Sequence, residues 1–155
     1  MISPELLRRY PFFSQLSDAN LKALAMVSEV EEVKAGTAIF AEGQPAEYLY
    51  FLLEGSIDLT YAVGEGLNPK TYKVFQVGEI NPEEVFGISA LIEPFTINAN
   101  GSAAKHCRYI TIDAKALRAM MEMDSHMGFL FMTRIAKVAM EQLVAIRVQL
   151  AAAWA

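Results

Sequence analysis

Between residues 28 and 113 the chain is a series of short apolar runs punctuated by glycine, and this constrains the fold more than any other feature. Gly36, Gly43, Gly55, Gly64, Gly66, Gly78, Gly87 and Gly101 divide it into pieces rich in Val, Ile, Tyr and Phe. A helical period does not survive such interruptions, whereas short strands with turn signals every roughly 8–12 residues close into a sandwich or barrel. The pattern predicts strands over 29–33, 37–40, 48–54, 56–63, 72–77, 98–103 and 108–113. Gly55 falls between two of them, where the missing side chain permits a tight bend or bulge. Residues 64–70, GEGLNPK, read as an exposed hairpin loop.

Helical patterns flank this region. Pro4 suits the first turn of a helix over 4–13, with Leu6, Leu7 and Tyr10 on one face. Ser17 and Asp18 can accept free backbone N–H groups at the start of a second helix, which Leu21, Leu24 and Ala25 support. Asp113 is the expected N-cap of a helix over 114–123, and a long helix follows over about 125–154. In that helix Met132, Ala136, Ala139, Leu143, Ile146, Leu150 and Ala153 recur at spacings of four and three, a coiled-coil-like seam. Ile135, Val138 and Val148 widen it into a second apolar face. The chain reads as one mainly β domain over 1–155: helices in 1–27, a barrel in 28–113 and helices in 114–155.

The balance of charge narrows the function. A net charge of -5 argues against a dedicated nucleic-acid or membrane-surface binder, which needs clustered Lys and Arg. One cysteine, Cys107, allows no intrachain disulfide and fits a cytoplasmic protein. The first residues show no signal-peptide pattern, and no uninterrupted apolar stretch of about 18 residues occurs, so neither a signal peptide nor a membrane span is expected. The chain lacks Gly-x-Ser-x-Gly, P-loop and His-Glu-x-x-His patterns. His106 and His126 are its only histidines, and in a strand Cys107 points away from His106, so no metal site is expected. Six of the eight methionines (Met120, Met121, Met123, Met127, Met132 and Met140) crowd the last two helices, as core packing or as an adaptable partner surface.

The blocks PFFSQLS (11–17), IFAEGQPAEYLYFLLEGSI (39–57), VFGISAL (85–91) and TIDAKAL (111–117), with Gly36, Gly43, Tyr50 and Gly55 in register, cover almost the whole chain. Together they resemble the cyclic nucleotide-binding domain of the catabolite-activator and protein-kinase-regulatory-subunit kind. The Phe-Gly-x-Ser-Ala-Leu variant followed by Pro94 is similar to a subgroup of short bacterial proteins that end in a long helix like 146–154. The resemblance implies an eight-stranded jelly-roll β-barrel with N-terminal helices and a long C-terminal helix. It also implies a regulatory module rather than an enzyme, with a cyclic nucleotide or another small ligand as the molecule bound. In the family the phosphate-binding cassette reads Phe-Gly-Glu-x-Ala-Leu and later Arg-Ser/Thr-Ala. Backbone N–H groups at its short helix face the cyclic phosphate, the glutamate holds the ribose hydroxyl, and the arginine pairs with the phosphate through its planar fork.

Phe86, Gly87, Ala90 and Leu91 match that cassette, with Ser89 between them, but Ile88 occupies the glutamate position. Ile97, Asn98 and Ala99 stand where Arg-Ser/Thr-Ala is expected, and residues 86–104 contain no Arg or Lys. Losing one partner of a buried ion pair costs about 2–5 kcal/mol, or roughly 30- to several-thousand-fold in affinity. Tight binding of cyclic AMP in the family's manner is therefore not expected unless Arg108 or Arg147 replaces the missing cation.

Two readings follow. A sensor module predicts an open pocket bounded by Ser89, Asn98 and Tyr72. A pure interaction module predicts that Ile88, Leu91 and Ile97 fill that space. Asn98 and Asn100 either bond a ligand or satisfy loop backbone. Tyr61 and Tyr72 either stack on a ligand or pack across strands. The C-terminal helix is expected to form a homodimer through Leu143, Ile146 and Leu150, or to dock an unidentified protein. Direct DNA binding is not expected, because the sequence reaches Ala155 without a recognition helix.

Overall fold

The protein is described by a computed structural model over residues 1–64 and 66–154, with Pro69 as backbone only. Glu65, in the expected loop, and Ala155 lie outside the described residues. The strands are β1 (Ser28–Val33), β2 (Ala38–Phe40), β3 (Tyr48–Glu54), β4 (Ile57–Val63), β5 (Lys73–Ile80), β6 (Val85–Phe86), β7 (Asn100–Ala103) and β8 (Cys107–Asp113). They form two antiparallel four-stranded sheets, ordered β1-β8-β3-β6 and β2-β7-β4-β5, which make up the jelly-roll barrel. The two-residue β6, which pairs Val85 with Phe51 and Phe86 with Tyr50, was missing from the predicted strands.

β3 reads YLYFLLE and is buried at five consecutive positions rather than alternate ones. Such a run belongs to a strand covered on both faces. One side chain, Phe51, shows what covers it: Phe13 meets its ring edge-on at 4.8 Å and Tyr10 at 5.1 Å. These aromatics come from the N-terminal segment, which comprises α1 (Pro4–Arg8), α2 (Pro11–Ser14) and α3 (Asp18–Met26). The sequence predicts one helix over 4–13, and Pro11 divides it. A residue before proline is pushed out of the helical region, and Tyr10 is extended there, with φ -108 and ψ 128.

β8 runs into α4 (Ala114–Met123), capped by Asp113, whose carboxylate accepts from the Ala116 N–H at 2.8 Å. α5 (Ser125–Ala153) follows. Met127, Phe131, Ile135 and Val138 are its buried side chains, and Phe131 meets Phe12 at 5.1 Å. Farther along, the Gln149 amide donates to the Gln76 carbonyl of β5 at 2.6 Å. Met132, Met140, Leu143 and Leu150 are exposed. No helix among the described residues is long and apolar enough to cross a membrane.

Asp124 joins three of these helices. Its carboxylate accepts from the Asn20 amide of α3 at 2.6 Å and from the backbone N–H groups of His126 and Met127 at the start of α5. The Asn20 hydrogen bond above all, then the backbone N–H groups, hold this carboxyl below its ordinary value. A carboxyl whose folded pKa is depressed stabilises the fold above its unfolded pKa and loses that contribution as pH falls through the folded one. Asp124→Ala is therefore expected to melt below the wild type at pH 7, and the gap should narrow on acidification below about pH 4. Thermal melts at pH 7, 4 and 3 measure this, and a gap independent of pH would contradict it.

Candidate functional site

The cassette begins where β6 ends. Phe86 is fully buried and its ring stacks on Tyr50, with centroids 4.9 Å apart and planes at 21°. Burial pushes the Tyr50 phenol up to about 12, and the neighbouring Tyr109, Tyr48 and Glu47 add to the shift. Gly87 then turns the chain in the left-handed region, at φ 68. A Cβ there would lie 2.6 Å from the Tyr50 ring, so both the backbone turn and the close approach require glycine. A 3-10 turn follows over Ile88–Leu91.

Arg118 of α4 holds the far end of this turn. Its guanidinium donates to the Ala90 carbonyl at 2.6 Å and lies 4.0 Å over the Phe95 ring. A hydrogen bond to a charged group contributes about 1.5–3 kcal/mol, so the cassette is fastened to the helix that leads into α5.

A cavity of about 380 Å³ opens between the cassette, the barrel wall and α5. Gly87, Ile88 and Ser89 form one side, and Ile97, Asn98 and Ala99 the next. Phe40, Leu59, Tyr61 and Val77 supply the barrel wall, and Gln142 and Ile146 of α5 complete it. No Lys, Arg, Asp or Glu is among these residues. A neighbouring groove of about 430 Å³ shares Ile88, Ser89, Asn98, Gln142 and Ile146 and runs outward past Ile92 and Thr96 to Ala139 and Leu143.

The structure thus brings together Gly87, Ile88, Ser89, Ile97, Asn98, Ala99 and Tyr61 from the sequence-predicted set. Phe86, Ala90 and Leu91 are buried behind the turn as its packing, and Leu91 does not plug the space. Tyr72 lies elsewhere: its hydroxyl donates to the Gly66 carbonyl at 2.8 Å within the hairpin loop. Asn100 serves the loop backbone, accepting from the Glu42 N–H at 2.9 Å. Arg147 is exposed and absent from the lining, and Arg108 pairs with Glu54 at 3.4 Å. Neither supplies a cation to the cassette. Ile146 and Ala139, expected in an outward seam, face the cassette instead.

The sequence reading missed Phe40, Leu59, Val77 and Gln142 in the lining, and Arg118 behind it. A signal for Gln142 existed: it lies seven residues after Ile135 and four before Ile146, on the same helical face.

The comparisons agree with this arrangement. The model of the cyclic nucleotide-binding domain matches residues 30–124. A solved structure from Geobacter metallireducens, described as a cyclic nucleotide-binding protein, superposes with a TM-score of 0.76 at 34% identity, covering 92% of this chain and 99% of that one. The cyclic nucleotide-gated ion channel 18 of Arabidopsis thaliana is 32% identical over 116 residues, 74% of this chain. A CRP-like cAMP-activated global transcriptional regulator of Mycobacterium tuberculosis is 22% identical over 115 residues, also 74% of this chain. The chain spans only 16% and 49% of the length of these two curated relatives. With the two-sheet jelly roll, the Phe-Gly turn and a domain match across most of its length, the chain belongs to the cyclic nucleotide-binding domain family.

Proposed function

We propose that this chain is a non-catalytic regulatory module whose cavity holds a small ligand and thereby sets the position of α5, with cyclic nucleotide binding weak or lost. The observation that carries this is the composition of the cavity wall: α5 contributes Gln142 and Ile146 to it, while Ile88 and Ile97 line it where the family resemblance leads one to expect charged anchors. A ligand that touches both cassette and helix has the differential contact that a population shift needs. Calorimetric titration with cyclic AMP and cyclic GMP is expected to give dissociation constants weaker than about 10 μM, or about -7 kcal/mol. Tighter binding would overturn the weak-binding part of this reading.

The exposed face of α5 favours a second reading beside the first. Met132, Ala136 and Met140 follow one another at spacings of four on the side away from Ile135 and Val138, and Leu143, at the rim of the cassette groove, comes three later. A helix of 29 residues extends over about 43 Å, and a second copy laid along it would bury this stripe as a coiled-coil seam. Met140→Glu places an unpaired charge in that seam and is expected to shift sedimentation from dimer to monomer. A wild type that sediments as a monomer at high micromolar concentration would end this reading.

A further inference from the structure

The cavity wall specifies the chemistry of its ligand as well as its size. Its apolar part consists of Phe40, Leu59, Val77, Ile97 and Ile146. An ionised group placed against such side chains without a counter-charge is strongly disfavoured. Such a wall favours a neutral molecule over a charged one. Three polar side chains disfavour a pure hydrocarbon. Among the described residues, the Ser89 hydroxyl and the carboxamides of Asn98, which is exposed, and Gln142, which is half-buried, line the cavity with no hydrogen-bond partner within the protein, so each is free to bond a molecule that enters it. A ligand that covered them without bonding them would leave each one desolvated and unpaired.

The kind of polar group matters too. A carboxamide presents a donor and an acceptor side by side, and Asn and Gln use that pair to read the matching edge of a purine. Two carboxamides in an apolar slot suit a flat ring with polar edges and unhydrated faces. A volume of about 380 Å³ falls within the roughly 300–1,000 Å³ usual for small-molecule sites.

We infer that the ligand is an uncharged heteroaromatic compound of nucleobase or nucleoside size, read along its edge by Asn98 and Gln142 and at its polar end by Ser89. This rests on the reading of the chain as a ligand-holding module. The anionic phosphate that the family's cassette accommodates is what Ile88 and Ile97 select against.

The test titrates the full chain with adenosine, guanosine and cyclic AMP by calorimetry, following α5 by hydrogen exchange. At least one nucleoside is expected to bind about tenfold or more tightly than cyclic AMP and to slow exchange in α5. Asn98→Leu and Gln142→Leu should each weaken it about tenfold or more. In parallel, Ile88→Glu/Ile97→Arg restores the two charges and should reverse the preference toward cyclic AMP. If neither nucleoside binds the wild type while the double variant binds cyclic AMP and protects α5, the neutral-ligand inference falls and the sensor reading stands. If neither protein binds any of the three, both fall. Should the double variant not fold, the wild-type comparison and the two leucine variants decide the inference alone.

Discussion

Truncating Phe86 to alanine is expected to lower the free energy of unfolding by about 3–5 kcal/mol. The ring is fully buried and stacked on Tyr50, with Tyr109 edge-on at 5.9 Å and Phe40 tilted at 6.2 Å. These partners stand on β3, β8 and β2, strands drawn from both sheets. None can close the gap without disturbing its own pairing, so the hole stays open and its cost approaches the upper end of the range. Equilibrium urea unfolding measures it as a lower midpoint at unchanged slope. Phe86→Leu should recover part of the loss. A loss under about 1 kcal/mol would show that the surrounding rings repack freely, and would remove the basis for a rigid cassette turn.

A methyl group added at Gly55 is expected to cost about 2–6 kcal/mol, although it is the smallest substitution available. Two effects combine. Gly55 has φ 101, a conformation that side chains rarely adopt and that costs of order 1–3 kcal/mol. The added Cβ would also lie 2.5 Å from the His106 carbonyl oxygen, 2.6 Å from the Cys107 sulfur and 2.9 Å from the Cys107 Cα. Overpacking of this kind costs about 1–3 kcal/mol more. Two of the three contacts are backbone at the start of β8, so no rotamer change relieves them. The double variant Gly55→Ala/Cys107→Ala should therefore recover only a fraction, again by urea unfolding. Full recovery would show that the sulfur alone was the obstacle.

Local chemistry was legible in the sequence where a residue acts on its own neighbours. Ser17 and Asp113 cap their helices as their side-chain types require, and their carbonyl-side neighbours begin α3 and α4 at the expected places. The strand over 48–54 appears with the predicted bounds. β6 was not legible, because two residues carry no period of their own; Val85 and Phe86 are strand only through pairing with Phe51 and Tyr50 across the chain. The strand over 98–103 shortens to Asn100–Ala103, since Asn98 and Ala99 leave the ladder to line the cavity.

The two apolar faces of α5 show a different limit. Periodicity locates stripes on a helix but does not say which stripe meets the barrel. Met132–Leu143 and Ile135–Val138 are both consistent with burial until the barrel is in place. Gln142 interrupts the inner face of that helix. In three dimensions it is one of the polar groups that the cavity presents. Whether the isoleucines at 88 and 97 close the space or merely dry it depended on backbone positions that no residue type encodes.

One consequence of α5 standing between cavity and surface concerns energy rather than shape. The same helix carries Gln142 and Ile146 inward and Met132 and Met140 outward, so the two faces draw on one equilibrium. If occupancy of the cavity changes the affinity of the outer stripe for whatever lies on it, thermodynamic reciprocity requires that the occupant of the stripe change the affinity of the cavity by the same factor. The measured ligand affinity would then depend on protein concentration or on the presence of a partner, and a single dissociation constant would describe the chain only at the state of assembly in which it was taken.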